Sequence, residues 1–232
     1  MASPEEEACL PESPPILYLK YTATTTVQDH TTLQVAGFAI LTIAWILSST
    51  SMGLVEWRVC HMDDPSFFSS VVCVGMWRLC IYSHEGNFSK TKKCYLYRNT
   101  FLPPDIRIAQ YLLLATSTLG LLGKAFAILG LRKVHVGSPP EDRARTPFIT
   151  AGLFTMAACV CISVAVFRNF HSIMNEQSMY FPLSFQVPFQ PGNQQMGSTM
   201  VVATLGALLL LLSGIFFLSY RYPLDIQVHP DT

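Results

Sequence analysis

Hydrophobic positions gather in four long segments of the chain, and polar positions lie mostly between them. The apolar segments span residues 35–54, 108–131, 148–167 and 199–219. Each is about 20 residues long, enough to cross roughly 30 Å of hydrocarbon at about 1.5 Å per residue. The pattern therefore predicts four transmembrane helices, with both termini on the same side of the membrane.

The connections between these helices differ in length and composition. They comprise tails at 1–34 and 220–232, a long loop at 55–107, a short basic loop at 132–147 and a medium loop at 168–198. The N-terminal tail holds three consecutive glutamates and four prolines. Because such a segment cannot bury enough apolar surface to order itself, we predict that it is disordered. Its acidic start also differs from a secretory signal peptide.

The long loop is rich in β-forming residues and is broken twice by turn-forming residues. The breaks lie at 63–66 and 83–87, and the order strand, turn, strand, turn, strand predicts a small antiparallel sheet. A sheet of this size is marginally stable alone, so a covalent link is expected. Cys80 and Cys94 lie on either side of the second turn and can form this disulfide in an oxidising compartment.

A second disulfide is a further hypothesis. If the first two strands form a hairpin that brings Trp57 near residues 75–77, the antiparallel register places Cys60 opposite Cys73. Opposed strand residues can come within bridging distance. The four cysteines of this loop allow three pairings, and the sequence does not choose among them.

Sidedness depends on the cysteines and on a glycosylation sequon. Basic residues number six on the side of the termini and eight on the other side, so their count alone does not favour cytoplasmic termini. Four of the seven cysteines lie in the long loop, together with the sequon that begins at Asn87. We therefore expect the long loop to be extracellular, and the tails and the 132–147 loop to be cytoplasmic.

Composition excludes several functional classes. The formal net charge is zero, with 15 basic and 15 acidic residues, so no basic excess indicates a nucleic-acid partner. The predicted spans contain no Asp, Glu or His, which argues against an ion-coupled transporter. Lys124 is an exception that we expect to reach the inner headgroups by snorkelling. The six histidines lack metal-ligand spacing, and no phosphate loop or nucleophile motif occurs, so we expect neither a cofactor nor an enzyme.

The long loop and its flanking helices resemble the claudin family. Residues 33–38 and Trp45 resemble the family's first helix, residues 103–106 its P-A-D-L entry into the second helix, and residues 179–183 its F-Y-N-P-L motif. The resemblance covers about residues 33 to 219. The residues that match the family's W…GLW…C…C signature are Trp57, Gly75, Met76, Trp77, Cys80 and Cys94.

This resemblance implies a fold, a location and a set of partners. The implied fold is an all-α transmembrane four-helix bundle with a small extracellular antiparallel β-sheet. The implied role is cell–cell contact at tight junctions of the plasma membrane, as a component of a paracellular barrier or of an ion-selective pore. The implied partners are copies of itself or other claudins, in the same membrane and in the apposed one, within the lipid bilayer.

The resemblance also indicates contact residues and pore charges. Tyr180, Phe181 and Pro182 would face neighbouring claudins, although burial among lipid headgroups is an alternative. In a pore, the charges of the first loop would select ions, and its small positive excess favours anions. A barrier is equally compatible with the sequence. The basic candidates for such a pore are Lys90, Lys92, Lys93 and Arg98.

Some features depart from the claudin pattern. Gln110 stands where claudins generally place an arginine, and the chain ends in His-Pro-Asp-Thr, without the hydrophobic terminal residue that binds PDZ scaffolds. We therefore do not expect PDZ binding. The signature also occurs in non-junctional relatives, namely the peripheral myelin and epithelial membrane proteins and the gamma subunits of ion channels. An auxiliary subunit of a channel or receptor is the alternative function.

Overall fold

The computed structural model describes residues 16–62, 70–85, 89–97, 104–136, 142–175 and 193–219. It contains four α-helices and one antiparallel sheet. The helices are α1 (Ile16–Gly53), α2 (Pro104–Val136), α3 (Asp142–Met174) and α4 (Ser198–Leu218). The strands are β1 (Arg58–Met62), β2 (Ser70–Val74), β3 (Arg78–Glu85), β4 (Ser89–Leu96) and β5 (Asn193–Met196).

The four predicted membrane helices are confirmed. All four contain a stretch long and apolar enough to cross a membrane: Thr32–Gly53, Pro104–Val134, Thr146–Met174 and Ser198–Leu218. The helices α2 and α3 extend at both ends beyond the predicted spans, because hydropathy marks only the apolar part of a helix. Pro104 opens α2, where a missing N–H costs nothing, and Asp105 is favourable in that first turn.

The N-terminal prediction is wrong for residues 16–34. These residues belong to α1, which begins at Ile16, immediately after Pro15. All four prolines of the tail precede this point, so the residues that oppose helix formation do not extend into it. The predicted disorder of residues 1–15 lies outside the described part of the chain.

The sheet has five strands in the order β4-β3-β2-β1-β5, all antiparallel. The small antiparallel sheet is confirmed, but three strands were expected from the long loop and four occur among its described residues. The additional break is the corner at residues 75–77 between β2 and β3. The fifth strand comes from the second loop and pairs with β1. Its sequence, Asn-Gln-Gln-Met, lacks the β-forming residues that would have predicted it.

One face of the sheet packs on the helices. Side chains alternate between the two faces of a strand, so residues paired in register share a face. Cys60, Val72, Val74 and Leu79 all occupy the helix-facing face and belong to the same buried core as α1 to α4. We call the opposite side the distal face. It carries Cys73, which pairs in register with Cys80.

The disulfide between Cys80 and Cys94 is present. The hypothetical Cys60–Cys73 disulfide is wrong, because the register is offset by one residue and pairs Cys60 with Val72. Cys60 and Cys73 therefore lie on opposite faces of the sheet, and both are free thiols.

Helix packing depends on small residues at close approaches. The indole of Trp45 lies against Gly120 and donates a hydrogen bond to the carbonyl oxygen of Ser117 at 2.9 Å. Lys124 places its Nζ 4.2 Å from the centre of the same indole. The face of the ring therefore contacts the Lys124 ammonium group, and a hydrogen bond holds its N–H edge.

We predict that Gly120→Ala destabilises the helix bundle. An added Cβ would lie 2.7 Å from Cδ1 of Trp45, whose ring is fixed by its hydrogen bond. Overpacking of this kind costs about 2 to 3 kcal/mol, against a gain of about 1 kcal/mol in helix propensity. The expected result is a lower unfolding temperature in detergent micelles. Gly53→Ala is the matched control, because nothing lies within 4 Å of its added Cβ; equal effects of the two substitutions would contradict the prediction.

Candidate functional site

The sheet is attached to the end of α1 through Trp57. This side chain is buried, and its Nε1 donates to the carbonyl oxygen of Ser51 at 2.9 Å. The backbone N–H of Trp57 bonds the carbonyl of Val74 at 3.2 Å, which ties the start of β1 to the end of β2. Arg78 adds a second contact, from its Nη2 to the carbonyl oxygen of Gly53 at 3.4 Å. Both carbonyls lie in the last turn of a helix, where no intrahelical donor is available.

The Gly75-Met76-Trp77 corner is packed against backbone on one side. A Cβ on Gly75 would lie 2.8 Å from Cα of Val55 and 3.0 Å from two carbonyl oxygens, so only glycine fits without a backbone shift. The Tyr97 hydroxyl donates to the Gly75 carbonyl at 3.1 Å. Burial raises the pKa of this hydroxyl above its ordinary value, which keeps it protonated as a donor.

The same corner is held by α2. Gln110 Nε2 donates to the carbonyl oxygen of Met76 at 2.6 Å, and the Met76 side chain is buried. Gln110 was singled out only as a departure from the claudin pattern; in the structure it links α2 to the signature corner. Trp77 differs from the buried Trp57, Gly75 and Met76, since 38% of it is exposed.

Arg58 has a structural role that its basic character alone does not predict. It is buried, and its Nη2 donates to Oδ1 of Asn169 on α3 at 3.1 Å. Burial lowers the pKa of its guanidinium, an effect opposed by the nearby Asp105 carboxylate. The group remains charged, because an arginine does not deprotonate in proteins. Its position directly after Trp57, at the base of the sheet, is the sequence signal that could have indicated burial.

Helices α2 and α3 are linked at the sheet end of the bundle by an ion pair. Arg168 Nη2 lies 2.7 Å from Oδ1 of Asp105, with 46% and 17% of the two side chains exposed. An exposed pair contributes little to stability, typically below about 1 kcal/mol. Its effect here is to orient the start of α2 next to the polar contact that Asn169 makes with Arg58.

The second loop joins the sheet through residues next to Trp57. The Gly197 N–H bonds the carbonyl of Trp57, and the Thr199 N–H bonds the carbonyl of Glu56, both at 3.2 Å. The Ser198 hydroxyl donates to the Glu56 carboxylate. A Cβ on Gly197 would overlap the Glu56 carbonyl, so this position also requires glycine. The start of α4 is therefore fixed to the start of β1.

The basic candidates lie along the edge strand β4. Lys92 pairs in register with Tyr82 and places its Nζ 5.3 Å from the ring centre. Lys93 pairs with Ile81 and so points to the other face; both lysines are exposed. Lys90 also belongs to β4, opposite His84. The structure therefore brings three lysines onto one edge strand, with Lys92 and Lys93 on opposite faces of it.

Several predicted residues lie outside the described part of the chain. These are the contact candidates Tyr180, Phe181 and Pro182, the glycosylation candidate Asn87 and the basic residue Arg98. Their proposed roles remain predictions.

A groove of about 760 Å³ runs between α3 and α4 below β5. Among its lining residues, Phe167, Val201 and Leu205 are each at least half exposed. Its few polar side chains have partners of their own: the Thr204 hydroxyl bonds a carbonyl of α4, and the Cys159 thiol bonds the carbonyl of Ala207. The groove therefore presents an apolar, concave surface on the outside of the bundle.

The site consists of surfaces and of the contacts that hold them. Within the described ranges, no group of three His, Cys, Asp or Glu side chains could hold a metal ion. The buried polar contacts described above connect strands to helices.

The buried thiol of Cys60 predicts a loss of stability at high pH. Burial raises its pKa from 9.0 to about 11, so the folded state favours the protonated form more strongly than the unfolded chain does. This stabilisation is fully present below about pH 9 and is lost as the pH rises through about 11, a change of roughly 2 to 3 kcal/mol. Unfolding temperatures measured from pH 8 to 11 should fall less for Cys60→Ala than for the unmodified protein. Parallel curves would contradict this.

Comparison with known proteins identifies the family. A family model described as PMP-22/EMP/MP20/Claudin tight junction matches residues 42–219. Mouse claudin-7 is 22% identical over 193 residues, which cover 78% of this chain and 82% of claudin-7. Mouse claudin-6 is 24% identical over 155 residues, covering 66% and 68% of the two chains. Mouse claudin-2 is 21% identical over 187 residues, covering 79% and 76%.

The architecture of the chain is consistent with this family match. Its four helices are long and apolar enough to cross a membrane, and its small sheet carries the W…GMW…C…C residues at the end of the bundle. The family match spans more than half of the chain. This plasma-membrane protein therefore belongs to the PMP-22/EMP/MP20/claudin family.

Proposed function

We propose that this protein is a structural component of cell–cell contacts that associates with copies of itself or with other claudins, beside it in the membrane and across the intercellular gap. In this proposal the sheet is extracellular and the termini are cytoplasmic. The observation that carries the proposal is the firm attachment of the sheet: Trp57, Arg58 and Met76 each connect it to a different helix.

A firmly attached sheet is suited to recognition. Binding costs free energy when loops and side chains must be ordered, and a surface that is already ordered avoids part of this cost. The partly exposed Trp77 and the β4 edge are presented by a sheet whose other face is packed on the helices. Both can therefore contact a neighbouring molecule with little rearrangement.

The groove between α3 and α4 is the surface that we propose for association within one membrane. Lipid tails are as apolar as the groove, so hydrophobicity alone does not drive helices together in a bilayer. Close packing does, and a concave surface lets a neighbouring helix make more van der Waals contacts than a convex one. Leu205 is 50% exposed in this groove and is available to such a neighbour.

The charges of β4 bear on ion passage. Ser89–Leu96 carries three lysines and no acidic residue. Where several copies line a narrow gap, such an edge repels cations and attracts anions. We therefore propose that the protein forms either a barrier or a pore that prefers chloride to sodium.

The first experiment tests association. The tagged chain is expressed in contact-forming cells that lack claudins, and we expect strands at cell borders by freeze-fracture electron microscopy. Leu205→Trp fills the groove and should reduce strand density, whereas Leu129→Trp should not, because Leu129 is 48% exposed on α2, away from the groove. Absence of strands and of border enrichment, with co-purification of a channel, would instead support the auxiliary-subunit alternative.

The second experiment tests charge selection. We expect dilution potentials across epithelial layers expressing the protein to show reduced conductance or a preference for chloride. Replacing Lys92 and Lys93 by glutamine should shift the permeability ratio toward sodium. Arg132→Gln, at the far end of α2, serves as the control and should leave the ratio unchanged. A clear sodium preference of the unmodified protein would exclude the anion-preferring pore.

A further inference from the structure

Three cysteines form one row across the sheet. Cys73 on β2 pairs with Cys80 on β3, and Cys80 pairs with Cys94 on β4. Cys80 and Cys94 are joined, while Cys73 is a free thiol. Residues paired in register share a face, so all three sulfur-bearing side chains lie on the distal face. We propose that Cys73 exchanges with this disulfide, converting the Cys80–Cys94 link into a Cys73–Cys80 link.

The register provides the distance that exchange needs. Directly opposed residues of antiparallel strands have Cα atoms about 4.5 to 5.5 Å apart, within the range that a disulfide bridges. The existing link already joins Cα atoms 4.1 Å apart. The Cys73–Cys80 pair is therefore placed to form a bond of the same kind without a change of register.

The order of the three cysteines across the sheet sets the direction of the exchange. A thiolate displaces a disulfide sulfur by approaching it opposite the bond that breaks. Cys80 lies between the other two cysteines, so the approach of Cys73 from β2 pushes the leaving sulfur of Cys94 toward β4. Cys60 cannot take this part, because it lies on the helix-facing side of the sheet.

The exchange balances without an oxidant or a reductant. The Cys73 thiol loses its proton, and the resulting thiolate forms a bond to Sγ of Cys80. The Cys80–Cys94 bond breaks, and Cys94 leaves with the bonding electron pair as a thiolate that takes up a proton. One disulfide and one thiol of the row are present before and after the step.

The environment of Cys73 makes the exchange slow. Its side chain is 5% exposed, and burial raises the pKa of its thiol; Glu56 adds to this effect and Lys92 opposes it. A small thiolate fraction means a low rate, since only the thiolate attacks. The sheet can therefore fold with the Cys80–Cys94 link and convert later.

The two disulfides connect different pairs of strands. In the first, the disulfide fixes β4 to β3. In the second, it fixes β3 to β2, and β4 is held to the sheet by non-covalent contacts alone. Cys94 is already exposed in the bonded state, so exchange leaves a reactive thiol on an edge strand that can separate more easily. The position of the disulfide thus determines how firmly β4 is held to the sheet.

Peptide mapping under non-reducing conditions tests the geometry in membranes from cells that express the full chain. In Cys94→Ser we expect a Cys73–Cys80 disulfide, which should persist in Cys60→Ser/Cys94→Ser. In Cys80→Ser we expect both Cys73 and Cys94 to be alkylated, because two strand spacings, about 10 Å, separate them. Alkylation of both Cys73 and Cys80 in Cys94→Ser, or a bridge to Cys60, would overturn the proposal.

A second measurement does not require that Cys94→Ser folds. Intact cells that express the unmodified chain are treated over time with a membrane-impermeant maleimide, and labelled peptides are identified. We expect label to accumulate on Cys94 in the unmodified chain and in Cys60→Ser, and to be lost in Cys73→Ser. The same labelling in permeabilised cells separates this readout from the sidedness of the sheet, and no label on Cys94 there, or equal label in Cys73→Ser, would show that Cys73 does not displace it.

Discussion

The hydrogen bond from the Trp57 indole to the Ser51 carbonyl joins the membrane helices to the sheet. Ser51 lies in the last turn of α1, where carbonyl oxygens lack intrahelical donors. A buried tryptophan also needs a partner for its N–H. Each group therefore satisfies the other, and the chain leaves α1 in a direction that starts β1 directly beside β2. The place where β1 begins then sets the distances between the strands and the other helices.

The strand β1 then organises both loops. It pairs with β2 of the first loop on one side and with β5 of the second loop on the other. Gly197 permits the second pairing, because any larger residue would overlap the backbone of Glu56. The entry to α4 is thereby fixed relative to the exit from α1. The two loops form one continuous sheet at the end of the bundle, so a contact made by either loop is supported by both.

Much of the fold could be predicted from sequence because its strongest signals are local patterns of residues along the chain. Four apolar runs of membrane length admit few alternatives to a helical bundle, and cysteines flanking a turn indicate a disulfide across it. Register was harder, since a shift of one residue moves Cys60 to the other face, and no turn of standard length fixed the first hairpin. The polar strand β5 carried no β signal, and Arg58 revealed its burial only through contact with Asn169, which is 111 residues away. Such residues are determined by tertiary contacts.

The lysines of β4 have a consequence for how the sheet ends. A free edge exposes N–H and C=O groups that any extended segment could pair with, and continuous growth of this kind leads to aggregation. Three positive charges on one edge make the addition of an identical edge unfavourable, since like charges would oppose one another. The lysines therefore disfavour growth of the sheet through the β4 edges of two identical copies, and a segment that pairs with this edge would need a neutral or acidic character.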